Sequence, residues 1–205
     1  TGTALKFATI IVNVANDASA LVHVWLPFDK ATLVKFFTLV MTAIVCILMG
    51  CGVPTTATYI IMVTIAAPAL AILGVAPVVA HFFVFYYGVL ADVTPPVAVA
   101  AYAAASMAGA DPFKTGNTAF RLALAKALVP FIFVFSPALL IVVPEFNWPD
   151  FLLTFAGCIV SITFLGAALS AYLFAPMAIW ERLWLAAAAI PAIASGVTPL
   201  LASVV

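Results

Sequence analysis

Residues 88–98 read GVLADVTPPVA, from Gly88 to Ala98. This short stretch decides how the surrounding chain is read. Val78 to Leu90 on one side is apolar and aromatic, and Val97 to Gly109 on the other is small and apolar. Between them lie an acid, Asp92, a threonine, Thr94, and two consecutive prolines, Pro95 and Pro96. Each proline lacks a backbone N–H and clashes with the preceding turn of a helix. Thr94, standing before a proline, is pushed out of the helical region. A helix entering this stretch must stop, and a second one must start after it.

The composition names the solvent in which that happens. Of the 205 residues, 67% are hydrophobic and only 7% are charged, and the mean hydropathy is +1.32. A soluble domain carries about 25% charged residues, so this inventory builds no water-facing surface. In lipid, backbone polar groups are satisfied within helices or closed barrels. The apolar runs are far longer than the roughly ten-residue alternating strands of a barrel, which leaves an all-α integral membrane protein. Zero net charge gives no general attraction to nucleic acid. Cys46, Cys51 and Cys158 lie in apolar segments without metal-ligand spacing and read as packing residues. The chain opens on TGTALKFATIIV, with no initiator methionine, basic start or cleavage site, and is expected to be part of a longer polypeptide.

Working outward, residues 1–30 read as the end of a preceding helix and a loop, punctuated by Asn13, Asp17, His23, Asp29 and Lys30. Residues 31–73 hold two apolar runs separated by GCGVPTTATY, Gly50 to Tyr59. A spanning helix needs about 20 residues, and the runs beside both interruptions are shorter than this. Residues 31–73 therefore read as a re-entrant hairpin, with two full spans as the alternative. Residues 78–109 read as one span made of two half-helices. Residues 110–126 carry Lys114, Arg121 and Lys126 against Asp111 and read as a cytoplasmic connection by the positive-inside rule. Residues 127–205 hold the C-terminal transmembrane helices: a span over 128–143 kinked by Pro130 and Pro137, a span over 151–174, and a segment from Leu183 anchored at the interface by Trp180, Arg182 and Trp184. The acidic link PEFNWPD, Pro144 to Asp150, then lies outside, and 175–182 returns to the cytoplasmic side.

Unwound backbone at membrane depth is tolerated where it is buried in protein or lines a watery cavity, and two breaks in consecutive segments can build one site. Half-helix N-termini beginning near Thr58 and Val97 offer N–H groups and partial positive charge to an anion. Half-helix C-termini near Met49 and Leu90 offer carbonyl oxygens to Na⁺. Thr55, Thr56 and Thr94 add neutral oxygens, and Gly50 and Gly52 allow close approach and unusual backbone angles. Asp92 costs about 2.5–3.5 kcal/mol or more inside a bilayer, which makes it a candidate Na⁺ ligand, proton carrier or support for the unwound backbone. Capping of the following helix and pairing with an absent basic residue are the alternatives. His81, in HFFVFYY, Thr58 and Tyr59 read as packing residues.

Three linked segments carry a family resemblance. GCGVPTTATYI, AHFFVFYYGVLADVTPPVAVAAYAAASMAGADPFKTG and FRLALAKALVPFIFVFSPALL resemble the fused permeases of tripartite ATP-independent periplasmic (TRAP) transporters, of the type that works with TAXI-class binding proteins. The resemblance is strong over residues 40–140. It implies an elevator-type transporter with inverted repeats, each a hairpin plus a broken helix, of which this chain holds the C-terminal repeat and lacks the N-terminal half of the permease. By similarity, the hairpin tip Gly50, Gly52, Val53, Pro54, Thr55 and Thr56 and the break Asp92, Val93, Thr94, Pro95 and Pro96 form an ion and substrate site. Within it, Gly50, Thr55, Thr56, Asp92 and Thr94 are Na⁺ candidates. The resemblance further implies a bacterial or archaeal inner-membrane location and an organic-anion substrate, commonly a carboxylate, delivered by a periplasmic protein. Na⁺ is the coupling ion, and no other cofactor is implied.

Two other classes compete with a permease. An intramembrane enzyme is disfavoured because the chain has no HExxH metal site and no GxSxG nucleophile elbow. A non-transporting helical scaffold, or a remnant of a permease, is the alternative that the missing first repeat raises.

Overall fold

The computed structural model describes residues 2–23, 29–142 and 146–194. The described residues form α1 (Gly2–Val22), α2 (Lys30–Gly50), α3 (Thr55–Ile72), α4 (Pro77–Leu90), α5 (Val99–Ala108), α6 (Pro112–Lys126), α7 (Val129–Phe135), α8 (Trp148–Ser170) and α9 (Ile179–Ala194). By length and composition, five runs among them qualify as membrane spans: Leu5–Val22, Lys30–Gly50, Thr55–Ile72, Pro112–Phe135 and Trp148–Ser170. The protein is an all-helical, multi-pass membrane protein. Its chain divides into two compact units, the first built from α1 to α4 with residues 91–92 and 96–98, the second from residues 93–95 and α5 to α9.

In the first unit, Asp29 caps α2 by accepting a hydrogen bond from the Ala31 N–H at 3.2 Å. Thr38, Thr42, Cys46 and Gly50 fall on every fourth residue of α2 and form its buried edge. The helix ends in a four-residue link, Cys51 to Pro54. Cys51 has φ −63° and ψ 107°, Gly52 has φ +81°, and the Val53 N–H donates to the Gly50 carbonyl at 3.3 Å. These are the features of a type II turn, which needs a positive φ at its third residue and hence glycine there. At the far end of α3, Gly74 adopts φ +73°. Its N–H donates to the Ala71 carbonyl and that of Val75 to the Leu70 carbonyl, each at 3.0 Å, a Schellman stop that turns the chain into α4.

Two expectations change in this unit. Residues 2–22 are one continuous helix of 21 residues, and residues 24–28 of the link expected after it lie outside the described residues. The hairpin arms are also longer than the apolar runs suggest, with 21 residues in α2 and 18 in α3. Helix resumes at Thr55, directly after Pro54, because threonines fit a first turn where their backbone N–H groups need no intrahelical partner. At 1.5 Å per residue the arms reach about 31 and 27 Å. Arm length therefore no longer argues against two full spans.

In the second unit α8 is the longest element, 23 residues or about 34 Å. Among the described residues of the span expected at 128–143, α-helix is confined to α7. Pro130 begins that helix rather than kinking it, and the helix stops at Phe135 ahead of Pro137. Ser136, at φ −135° and ψ 80°, bonds through Oγ to Thr154 Oγ1 of α8 at 3.2 Å, with the pair buried. A tight turn of 3₁₀ helix follows at Pro137–Leu139. Near the other end of α8, a methyl placed on Gly166 would lie 3.7 Å from the Ala125 Cβ of α6. Between 125 and 136 the chain thus descends antiparallel to α8, from near its last turn to its second. α9 packs on α8, with Ser161 Oγ donating to the Ala189 carbonyl at 2.9 Å. Arg182 Nε donates to the Ala168 carbonyl at 2.7 Å.

The Ser136–Thr154 bond ties the chain to α8 where Pro137 ends the helix. A double-mutant cycle with Ser136→Ala and Thr154→Val, measured by reversible unfolding in mixed micelles, is expected to give a coupling of about 0.6 kcal/mol. A coupling of zero removes that role.

Candidate functional site

Three helix ends meet in the first unit. A methyl on Gly50, the last residue of α2, would sit 2.5 Å from the Ala91 Cβ, 3.3 Å from Thr58 Cγ2 and 3.4 Å from the Gly88 carbonyl oxygen. The C-terminus of α2, the N-terminus of α3 and the C-terminus of α4 therefore lie at one level. α2 and α4 run parallel, with α3 antiparallel to both. Only a residue without a Cβ permits this approach. The turn is held against the break as well, since a methyl on Gly52 would come 3.8 Å from Val97 Cγ1.

The electrostatics follow from the ends. Two C-termini bring partial negative charge and carbonyl oxygens, and one N-terminus brings partial positive charge and N–H groups. Pro54, the residue before α3, supplies no side-chain cap. The Thr55 and Thr56 hydroxyls make no hydrogen bond among the described residues, and they stand half-buried and exposed respectively. The break itself runs from Ala91 to Ala98. Residues 91–93 form one 3₁₀ turn, and α5 starts at Val99, two residues later than the sequence suggests. Asp92 is half-buried. It has no hydrogen bond or ion pair among the described residues, so it neither caps the next helix nor pairs with a base here. Val93, Thr94 and Pro95 belong to the second unit, where Thr94 is 7% exposed.

The structure thus groups Gly50 and Gly52 of the tip with Ala91, beside Asp92, and with Val97. It also draws attention to residues that sequence reasoning assigned to packing or passed over. Thr58 is 1% exposed and its hydroxyl has no partner, although its methyl fills the notch between Gly50 and Gly88. Thr42, about 12 Å below Gly50 on α2, also has a buried hydroxyl without a partner. Such a group costs about 1–3 kcal/mol, a cost that valine would avoid. Ala98 is fully buried at φ +35°, a strained setting for a residue with a Cβ. The sequence signal for Thr58 was its spacing, one helical turn after Pro54. Ala98 carried none. His81 shares a 2.7 Å hydrogen bond with the Tyr59 hydroxyl and ties α3 to α4, in keeping with a packing role.

Gly50→Ala is expected to destabilise the protein by about 1–3 kcal/mol, because the clash at 2.5 Å is with a backbone-anchored Cβ. Gly52→Asn is expected to be milder than Gly52→Val, since asparagine tolerates positive φ. Thermal unfolding in detergent ranks the three; equal losses for Asn and Val would contradict the type II turn.

Beyond the geometry, the chain matches the family model of the tripartite ATP-independent periplasmic transporter DctM component over residues 2–148. No curated protein and no solved structure matches it. The matched region covers more than half of the 205 residues and includes α1 to α7, both interruptions among them. The chain belongs to the DctM family, the membrane component of tripartite ATP-independent periplasmic transporters, which is a family of transporters rather than of enzymes.

Proposed function

We propose that this chain is the part of a TRAP permease that binds Na⁺ and an organic anion, most simply a carboxylate, and imports the anion on the Na⁺ gradient. The observation that carries this reading is the convergence of three helix ends at Gly50, Thr58 and Ala91. A cation suits the carbonyl ends of α2 and α4 together with the oxygens of Thr55, Thr56 and Asp92, to which the family resemblance adds Thr94. The partner-free hydroxyl of Thr58 joins that set. A carboxylate suits the uncapped N-terminus of α3. Depth agrees with this use. α4 has 14 residues, about 21 Å, and α5 has 10, about 15 Å. Neither crosses a 30 Å hydrocarbon core, so a helix that starts at one face stops inside it. The tip, level with Ala91, then lies about 21 Å below Pro77, which supports a re-entrant hairpin whose outer turns near Lys30 project past the bilayer.

In this reading the site moves between the two sides as an elevator. It is completed by the N-terminal half of the permease and fed by a periplasmic binding protein of the TAXI class. The location is the inner membrane of a bacterium or archaeon.

The test is reconstitution of the complete polypeptide with its binding protein, followed by uptake measured under imposed Na⁺ gradients. Asp92→Asn and Thr94→Val are each expected to reduce uptake at least tenfold and to raise the Na⁺ concentration for half-maximal rate. Thr58→Val separates roles: if its oxygen serves the ion, stability without Na⁺ holds or rises while Na⁺ dependence weakens. Uptake that survives both Asp92→Asn and Thr94→Val with unchanged Na⁺ dependence rejects the site. No uptake by the unmodified protein under any gradient favours a scaffold.

A further inference from the structure

The second unit carries a cationic face that the transport reading leaves unused. Ala125 of α6 lies against Gly166, four residues before the end of α8. The same end of α8 receives the Arg182 guanidinium on the Ala168 carbonyl. Trp180 and Trp184 beside it are 75% and 76% exposed. Tryptophans so placed on a membrane protein mark the headgroup level. Ala125, Lys126 and Arg182 therefore stand at one boundary of the bilayer, and α7 descends from there into the lipid.

By length and apolar content 112–135 counts as a span, but the residues of α6 argue for the boundary instead. Lys114, Asn117, Thr118 and Arg121 recur at three- and four-residue spacing along an exposed face, opposite the buried Gly116 and Ala123. Each lysine or arginine turned to lipid tails at mid-depth would cost about 2.5–3.5 kcal/mol. Flanking this stripe, one on each side, are Phe113 and Leu122, 63% and 52% exposed. Among the described residues no acid forms an ion pair with the stripe. Asp111 accepts from the Lys114 backbone N–H at 2.8 Å, and Glu181 from that of Ala178 at 2.8 Å, so both carboxylates are engaged at helix starts. Asp150 lies in the first turn of α8, at its opposite end.

The geometry points to an anionic-phospholipid docking surface on α6, in which Lys114 and Arg121 on the stripe, and Lys126 off the stripe in the last turn, take the phosphates of lipid headgroups while Phe113 and Leu122 sit among the upper acyl carbons. The apolar flanks and the neighbouring tryptophans fit a lipid better than a soluble phosphate. The surface is independent of the Na⁺ and anion site and survives if that reading fails.

The probe is phosphatidylglycerol against phosphatidylcholine, with the complete polypeptide released from mixed-lipid nanodiscs and its retained lipids counted by native mass spectrometry. A preference for phosphatidylglycerol is expected. It should fall about fivefold in Arg121→Gln or Lys126→Gln and further in the pair with Lys114→Gln. Arg121→Lys is expected to keep it, and Lys30→Gln with Lys35→Gln on α2 to leave it unchanged. Circular dichroism confirms that each variant is folded; where the combined variant is not, the single substitutions decide. An unaltered preference in the α6 variants overturns the assignment. So does an equal loss in the α2 control, or abolition of the preference by millimolar inorganic phosphate.

Discussion

The constraint on which this structure rests is that backbone interrupted in lipid needs protein around it. The chain meets this constraint by bringing its interruptions together. The turn at Cys51–Pro54 and the break at Ala91–Ala98 are each a liability alone, because their N–H and C=O groups have lost helical partners. Packed at Gly50 and Ala91, they shield each other. That packing depends on the absence of one atom, the Cβ of Gly50, and on the small side chain of Ala91. The site and the fold are therefore the same feature, since separating the helix ends would both expose the backbone and disperse the charges those ends carry.

The second unit solves a similar problem by other means. Pro137 stops α7 beside the second turn of α8. A side-chain pair, Ser136 with Thr154, takes up the local polarity instead. Small hydroxyl residues are the usual way for membrane helices to absorb a proline. The difference between the two solutions is instructive. A hydroxyl pair is spent within its own break, whereas the converging helix ends surround a Thr58 hydroxyl that has no partner.

The larger features were legible in the sequence because they follow from composition and from residues with single meanings. The charge content required a membrane, TPP required a broken helix, and Gly-Cys-Gly-Val-Pro required a tight tip. What was not legible depended on through-space neighbours or on helix ends. Arm length was underestimated because Thr55 to Tyr59 looked polar, although threonine suits a first turn. Pro130 read as a kink because nothing local distinguishes a proline within a helix from one that begins it. The burial of Thr58 depends on Gly50 and Gly88, which are distant in sequence, and the strain at Ala98 on packing that no local pattern reports. Asp92 was legible as an anomaly, but its lack of a partner required coordinates.

That lack gives the break its functional direction. A half-buried carboxylate with no base and no cap beside it among the described residues, near a threonine whose hydroxyl is also without a partner, is a poor arrangement for stability. Valine at Thr58 and asparagine at Asp92 would each relieve a cost. Four features each carry a penalty in one small region: Gly50 with its backbone freedom, Thr58 with its desolvated oxygen, Asp92 with its charge and Ala98 with its positive φ. Stability alone would remove them one at a time by single substitutions. On the proposed reading, a bound cation would offset three of them together, by coordinating the Thr58 oxygen, neutralising the Asp92 charge and justifying the close approach at Gly50. On that reading, a site that is costly when empty would keep the binding reversible.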